Sequence, residues 1–468
     1  MKKFIYILAA AAIALAAAAL LSCEKQDSPA ATGTPDQDKP STDEPSEPVT
    51  APNEGRTGDV LPAWQEGWLD IHFINGGRGE STFYILPDGT TMLIDAAGAP
   101  PAELSGDEGG VPSRPSSGVS CGKVIIDYIR HFTPDVSAGK LDYFMSSHYH
   151  GDHIGAWRDD WSSKYGWMMY PGGGFVVNGL PEVGTQIPIG VIIDRGDWGD
   201  AGGRASADYF TDGGKKRYEN YIKFTEWTHN AHGTVREALK VGRNDQITLL
   251  HDAASYTNFS IRNLAAGGDI WTGTGTDVNN SYVPAASETL QHAMSDDWNV
   301  NENIYSCAIL LSYGMFDWFS GGDVQYAGRS SYAWKDIETP IAKAVNKKVD
   351  AMKASHHSTK NANSPELLAI FKPNVVVAGI WQSVQPNPAT VKNFTSANAS
   401  VKFFATNMTD ANLETLKAEG INREFFQSIG GHVVIRVDPF GLRYWVFVLD
   451  DTNQEYRISK RLGPIACS

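Results

Sequence analysis

The sequence predicts an α/β fold, a sandwich of sheets covered by helices. Two patterns carry that expectation: short apolar strands gather in the first and last thirds of the folded region, and segments with helical apolar spacing lie among them. The size permits it, since 468 residues, 42% hydrophobic and 20% charged, can bury a large core without disulfides.

Taken in order, the chain opens on Lys2 and Lys3 ahead of an unbroken apolar run from Phe4 to Leu21, the layout of an export signal. Leu20-Leu21-Ser22-Cys23 resembles the bacterial lipoprotein signal, which implies cleavage after residue 22 and acylation of Cys23. The alternative is an uncleaved N-terminal anchor, since the run is long enough to span a bilayer. Residues 23–60 read as an acidic tether rich in Pro, Ser and Thr, because nothing between Glu24 and Gly58 is aromatic, Leu, Ile or Met. The expected location is therefore extracytoplasmic, in a bacterial cell envelope, with the membrane as a partner through the lipid on Cys23.

The folded domain is expected over 61–468. Trp68 to Ile74 reads as a strand, Gly76-Gly77-Arg78-Gly79 as a turn, and Ser81 to Leu86 as a second strand. Pro87-Asp88-Gly89 then makes a hairpin into Thr91 to Asp95. Val124 to Phe132 has helical spacing, and Leu141 to Ser147 is a strand that runs into a cluster of histidines. Ser306 to Phe319 gives two strands around Tyr313-Gly314, ending at Ser320-Gly321-Gly322-Asp323. Val349 to Ala354 is a short buried strand before His356-His357. A helix over Ser364 to Phe371 and strands over Asn374 to Gly379, His432 to Val437 and Tyr444 to Leu449 complete the set. The stretch 157–300, rich in Gly, Trp and Asn, reads as an insertion carrying loops.

A formal net charge of -15 opposes indiscriminate coating of nucleic acid, which leaves nucleic acid a role only as substrate. The basic clusters Lys215, Lys216, Arg217 and Lys347, Lys348, Lys353 read as solvated surface. No C-x-x-C spacing suggests a thiolate metal site, and Cys121, Cys307 and Cys467 leave room for one disulfide.

His148-Tyr149-His150-Gly151-Asp152-His153 is the most informative segment. Three imidazoles and a carboxylate within six residues would repel or go unpaired without a cation, and they are ligand types suited to zinc. At a strand end, His148 and His150 point to one side and Asp152 and His153 to another, an arrangement that could feed two metals a few Å apart.

The segment resembles the signature of the metallo-β-lactamase superfamily. The similarity is greatest to its ComEC-like branch, whose opening pattern is matched by Asp70-Ile71-His72-Phe73-Ile74-Asn75-Gly76-Gly77-Arg78-Gly79-Glu80-Ser81. Pro87-Asp88-Gly89, Met92-Leu93-Ile94-Asp95, Asn303 through Leu311, Ser320 to Asp323 and Lys353 to Ser358 extend it to most of the folded chain. The resemblance implies an αββα sandwich with insertions and one or two Zn2+, or Mn2+, ions. His148 and His150 would hold the first metal and Asp152 and His153 the second, with Asp323 bridging. One of His356 and His357 would complete the second site; His357 is the expected ligand and His356 the expected contact to substrate or leaving group. Asp152 and His356 are the candidate catalytic residues.

Three departures stand against the pattern. No segment matches the family's third histidine for the first metal; His229 or His232 could serve, or could be plain helix or loop surface. Ser358 replaces a glycine. The membrane helices of a ComEC protein are absent beyond Leu21. The resemblance implies a hydrolase that uses a metal-activated water on a small-molecule or phosphodiester substrate. The alternatives are a lactone, thioester or β-lactam hydrolase, and a non-catalytic binding lipoprotein with a vestigial metal site.

Overall fold

The structure, a computed structural model, describes residues 54–468 apart from 101–110, 113, 117, 197–204, 280–299 and 329–331. The expected signal segment, Cys23 and most of the tether lie outside the described residues. No helix among those described is long and apolar enough to cross a membrane.

Among the described residues, twenty strands follow one another along the chain. The first part supplies β1 (Leu69–Phe73), β2 (Thr82–Ile85), β3 (Thr91–Ile94), β4 (Leu141–Met145), a small ribbon of β5 (Met168–Met169) and β6 (Val176–Val177), then β7 (Ile189–Asp194) and β8 (Val235–Ala238). The middle supplies β9 (Phe259–Ala266), β10 (Asp269–Trp271), β11 (Val278–Asn279), β12 (Ala308–Tyr313), β13 (Phe316–Ser320) and β14 (Ala351–Lys353). The last part supplies β15 (Val375–Ala378), β16 (Lys402–Ala405), β17 (Phe426–Ile429), β18 (His432–Val437), β19 (Arg443–Leu449) and β20 (Ile458–Ala466). Eighteen of them form two nine-stranded sheets, in the orders β20-β19-β18-β1-β2-β3-β4-β7-β8 and β11-β10-β9-β12-β13-β14-β15-β16-β17.

Three apolar seams show how the layers stack. Leu69, Ile71 and Phe73 of β1 meet Ile309 and Leu311 of β12 and Val375 and Val377 of β15 between the two sheets. The other face of the first sheet, with Phe83, Phe144 and Phe447, is covered by Ile125, Ile129 and Phe132 of one helix and by Tyr221 and Phe224 of another. The other face of the second sheet, with Leu310, Met352 and Phe403, is covered by Ile341, Leu367, Phe371, Val391, Phe394 and Leu416. The fold is an α/β sandwich of the αββα type, the architecture that the resemblance implies.

The helix Cys121–Phe132 shows how locally this is encoded. Ser120 caps it by accepting from Lys123 N, its apolar side chains recur at helical spacing, and Arg130 and His131 complement the dipole at its end. Thr133-Pro134 then stops it.

Several expectations need correction. The stretch 157–300 is not a set of loops, because it adds β7 and β8 to the first sheet and β9, β10 and β11 to the second. It also forms the 21-residue helix Asp212–His232. That helix escaped the pattern because Asn220, Thr225 and Thr228 share its buried face with Tyr221 and Phe224, which dilutes the apolar signal. No disulfide joins Cys121, Cys307 and Cys467, which are buried free thiols. Ordered contacts already begin at Glu54, which pairs with Arg461 at 2.7 Å, while Val60 bridges to Arg457.

Asp70 of β1 and Arg436 of β18 stand directly opposite each other in the ladder, on the face that carries helices, and form a forked ion pair at 2.8 and 2.6 Å.

Candidate metal centre

Three stretches far apart in sequence meet beyond the C-terminal ends of β3, β4, β13 and β14, where loops leave parallel neighbours and open α/β sheets commonly place their sites. The loop after β4 carries His148 and His150 into one helical turn, Gly151–Ile154, with Asp152 and His153. Asp323 follows β13, and His356 and His357 follow β14. Two glycines allow the approach. Gly79 has φ +113°, and a Cβ there would lie 2.5 Å from Asp152 O; its absence lets Glu80 N donate to that same carbonyl at 3.0 Å. Gly322 has φ +56° and would clash with Ser147 Cβ at 2.7 Å, so the turn bearing Asp323 can lie against the histidine loop.

Four donor atoms converge there. Asp323 Oδ2 is 3.2 Å from His153 Nε2 and 3.4 Å from His357 Nε2, while Asp152 Oδ2 is 3.6 Å from His153 Nε2 and 3.2 Å from His357 Nε2. Ligands about 2.0–2.2 Å from a tetrahedral zinc stand roughly 3.3–3.6 Å from one another, a spacing that these four carboxylate-to-imidazole separations match. The nitrogens are ready for it. His153 Nδ1 donates to Asp95 at 2.8 Å and His357 Nδ1 to the Gly379 carbonyl at 2.7 Å, which makes each Nε2 the nitrogen that faces the carboxylates and would bind a cation in exchange for its proton. Both Nε2 atoms and Asp323 Oδ1 are buried without a hydrogen-bond partner, as donors awaiting a cation would be.

The electrostatics point the same way. Burial alone would strip the charge from the imidazolium ions, but Asp323, Asp152 and Asp95 hold His153 well above the ordinary histidine range. Asp323, Asp152 and Glu80 push His357 up to about 10. A field that keeps two buried histidines protonated also attracts a dication. His148 lies at the other extreme: burial, with His153 and His150 beside it, drives it well below the usual range and keeps it neutral.

Among the described residues, three overlapping groups could hold a metal ion: His148, His153 and Asp323; Asp152, His153 and His357; and Glu80, Asp323 and His357. His148 Nε2 is 3.9 Å from Asp323 Oδ2, and His150 stands outside these groups with its Nδ1 2.9 Å from His148 Nε2. His356 also stands outside, its Nε2 3.9 Å from Asp323 Oδ2 and hydrogen-bonded by Asn303 Nδ2 at 3.0 Å. His229 and His232 are exposed on their helix, and neither joins a group.

Five residues had no functional role in the sequence reading. Glu80 faces His357 Nδ1 at 3.3 Å, and Asp95 receives Ser147 as well as His153. Asp208 pairs with His150 at 2.7 Å. Lys353 is not solvated surface, because it is buried between Glu80 at 3.1 Å and Asp323 at 3.6 Å. Arg217, from the other basic cluster, donates to the Tyr149 carbonyl at 2.7 Å. Glu80 and Asp95 lie inside quoted motifs, so their position was visible; nothing local marks Asp208.

No protein-family model matches the sequence, and no curated protein does. Among solved structures, a mutant of the CmlA beta-hydroxylase matches with a TM-score of 0.33 and 10% identity over 79% of this chain and 54% of that one. This chain thus spans about half the length of that protein. An isothiocyanate hydrolase from Delia radicum gut bacteria matches at TM-score 0.31 and 12% identity, over 78% and 97% of the two chains. Igni18, described as a novel metallo hydrolase from Ignicoccus hospitalis KIN4/I, matches at 0.28 and 11%, over 78% and 98%. Likenesses of this size leave function to the side chains of the site.

The loop bearing His356 and His357 is strained, with φ of 47°, 51° and 62° at His356, His357 and Ser358. Three consecutive left-handed residues that are not glycine cost about 1–2 kcal/mol each, and Ser358 Oγ is buried without a partner. Ser358→Gly therefore raises stability by about 1 kcal/mol, net of the unfolded-state entropy that glycine adds. A chemical denaturation midpoint at or below that of the wild type would contradict the strain.

Proposed function

We propose that the chain is a metal-dependent hydrolase. The observation that carries this reading is the convergence of Asp152, His153, Asp323 and His357, with carboxylate-to-imidazole separations of 3.2–3.6 Å and two orphaned imidazole nitrogens. A divalent cation held there supplies Lewis acidity, lowering the pKa of water and polarising a scissile bond. The chain's own residues do the rest. Asp95 and the Gly379 carbonyl fix the tautomers of His153 and His357. Lys353 balances the carboxylates of Glu80 and Asp323. Burial holds His356 down to about 4, so it is neutral near pH 7 and serves as a hydrogen-bonding contact to substrate or leaving group.

Phosphodiesters are the substrate class proposed first, because His148 and His150 beside the cage leave a place for a second cation, and paired metals clamp in-line phosphoryl displacement. One observation favours a second reading, a neutral lactone, thioester or β-lactam. Lys353, Arg195, Arg217 and Arg236 each already face a carboxylate, at 2.7–3.5 Å for their nearest pairs. The full chain, loaded with zinc or manganese, is assayed on bis-aryl phosphates, single-stranded DNA, lactones and thioesters beside Asp323→Ala. Phosphodiester turnover supports the first reading, and turnover of neutral substrates alone supports the second. Rates no higher than those of the variant on every substrate overturn both.

A further inference from the structure

We propose that Asp208, carried by the 157–300 stretch, is a positioning residue that turns His150 into a metal ligand by fixing which of its ring nitrogens bears the proton. The inference rests on the metal-centre reading above.

One chain of hydrogen bonds assigns the protons in turn. Ser147 Oγ donates to Asp95 Oδ2 at 2.7 Å, so its single proton is committed. His148 Nδ1 lies 3.0 Å from that same Oγ and must therefore be the donor, which leaves His148 Nε2 a bare acceptor. On the other side, His150 Nε2 lies 2.7 Å from Asp208 Oδ2. An ionised carboxylate only accepts, so Nε2 carries the single proton of the neutral ring and His150 Nδ1 is then also a bare acceptor. The two acceptors, His148 Nε2 and His150 Nδ1, then face each other at 2.9 Å. Two lone pairs at that distance repel unless a cation stands between or beside them, and Asp323 Oδ2 is 3.9 Å from His148 Nε2 to share it.

Asp208 is what prevents the uncharged escape. Without it, His150 could shift its proton to Nδ1 and satisfy His148 with an ordinary hydrogen bond. The carboxylate is itself held. Arg217 reaches it at 3.5 Å and pins the Tyr149 carbonyl at 2.7 Å. From the far side, Glu302, gripped by Arg195 at 2.7 and 2.9 Å, accepts Tyr149 N at 3.3 Å. The backbone between the two histidines is thus clamped on both sides.

The metal-free full-length protein is titrated with zinc against a chromophoric chelator, and the His150 tautomer is read from long-range nitrogen–proton NMR spectra without zinc. The wild type is expected to bind two equivalents, with His150 protonated on Nε2. In Asp208→Ala one equivalent weakens by about 10–100-fold, the usual effect of losing a ligand's outer partner. The other stays within about threefold, the His150 proton moves to Nδ1, and Asp208→Glu restores the wild-type pattern. Equal weakening of both equivalents, no weakening of either, or a wild-type His150 already protonated on Nδ1 overturns the inference. A wild type that binds one equivalent indifferent to Asp208 overturns it too. No zinc uptake by the wild type removes the metal-centre reading and this inference together.

Discussion

Zinc supplied to the metal-free chain at about a thousand times its Kd raises the free energy of unfolding by about 4 kcal/mol, and Asp323→Ala removes most of that gain. The effect is large because Asp323 Oδ2 is the corner shared by the whole centre, within 3.2–3.9 Å of His153, His357, His148 and His356. No neighbour can replace it. Asp152 is already committed to His153 and His357, and Glu80 is balanced by Lys353. The same variant loses on the order of 10³-fold or more in kcat/KM, about 4 kcal/mol of transition-state stabilisation, as expected when a Lewis acid is no longer held in place. Thermal scans of both proteins with zinc and with chelator decide the matter. Equal zinc-induced shifts in the two would mean that the cation binds elsewhere.

Asp70→Ala destabilises the fold by about 3–5 kcal/mol, because it leaves the Arg436 guanidinium buried without its carboxylate. Both partners are fully enclosed and joined by a forked pair. Replacing both, as in Asp70→Leu with Arg436→Met, costs far less, since no charge is then stranded. The pair also fixes a dependence on pH. Burial works against the Asp70 carboxylate, but Arg436 and then His72 overcome it and hold the pKa down to about 2, against 3.8 when unfolded. A depressed carboxylate stabilises the fold above its unfolded pKa. As pH falls from about 4 through about 2, the unfolded chain takes up the proton first and this share, about 2 kcal/mol, is lost. Urea midpoints from pH 5 to pH 2 measure it, and an equally steep acid limb in the double variant would show that other groups cause the loss.

Much of the site could be read along the chain because its chemistry is compressed. His148, His150, Asp152 and His153 sit on one loop and one helical turn, and such a density of imidazole and carboxylate has few uses besides holding a cation. Asp323 and His357 became legible through the resemblance, each at the end of an apolar strand. The strands of the first and last thirds were visible for a local reason as well: alternation and turn dipeptides are properties of neighbouring residues.

Other features are set by groups that meet only after folding. Asp95 reaches His153 and Asp208 reaches His150 across 58 residues in each case, and no local pattern reports a partner at that separation. Lys353 reads as a solvated lysine until Glu80 and Asp323 close around it, since burial of a charge depends on what surrounds it in space. The stretch 157–300 reads as loops until its strands pair at the sheet edges, where hydrogen bonds to β4 and β12 supply what its own composition lacks. By itself the sequence marked a set of side chains able to bind a cation, without Glu80, and the class of fold that carries them. Only the tertiary structure decided which nitrogen of each histidine is left bare, because that is set by the groups packed behind the ring.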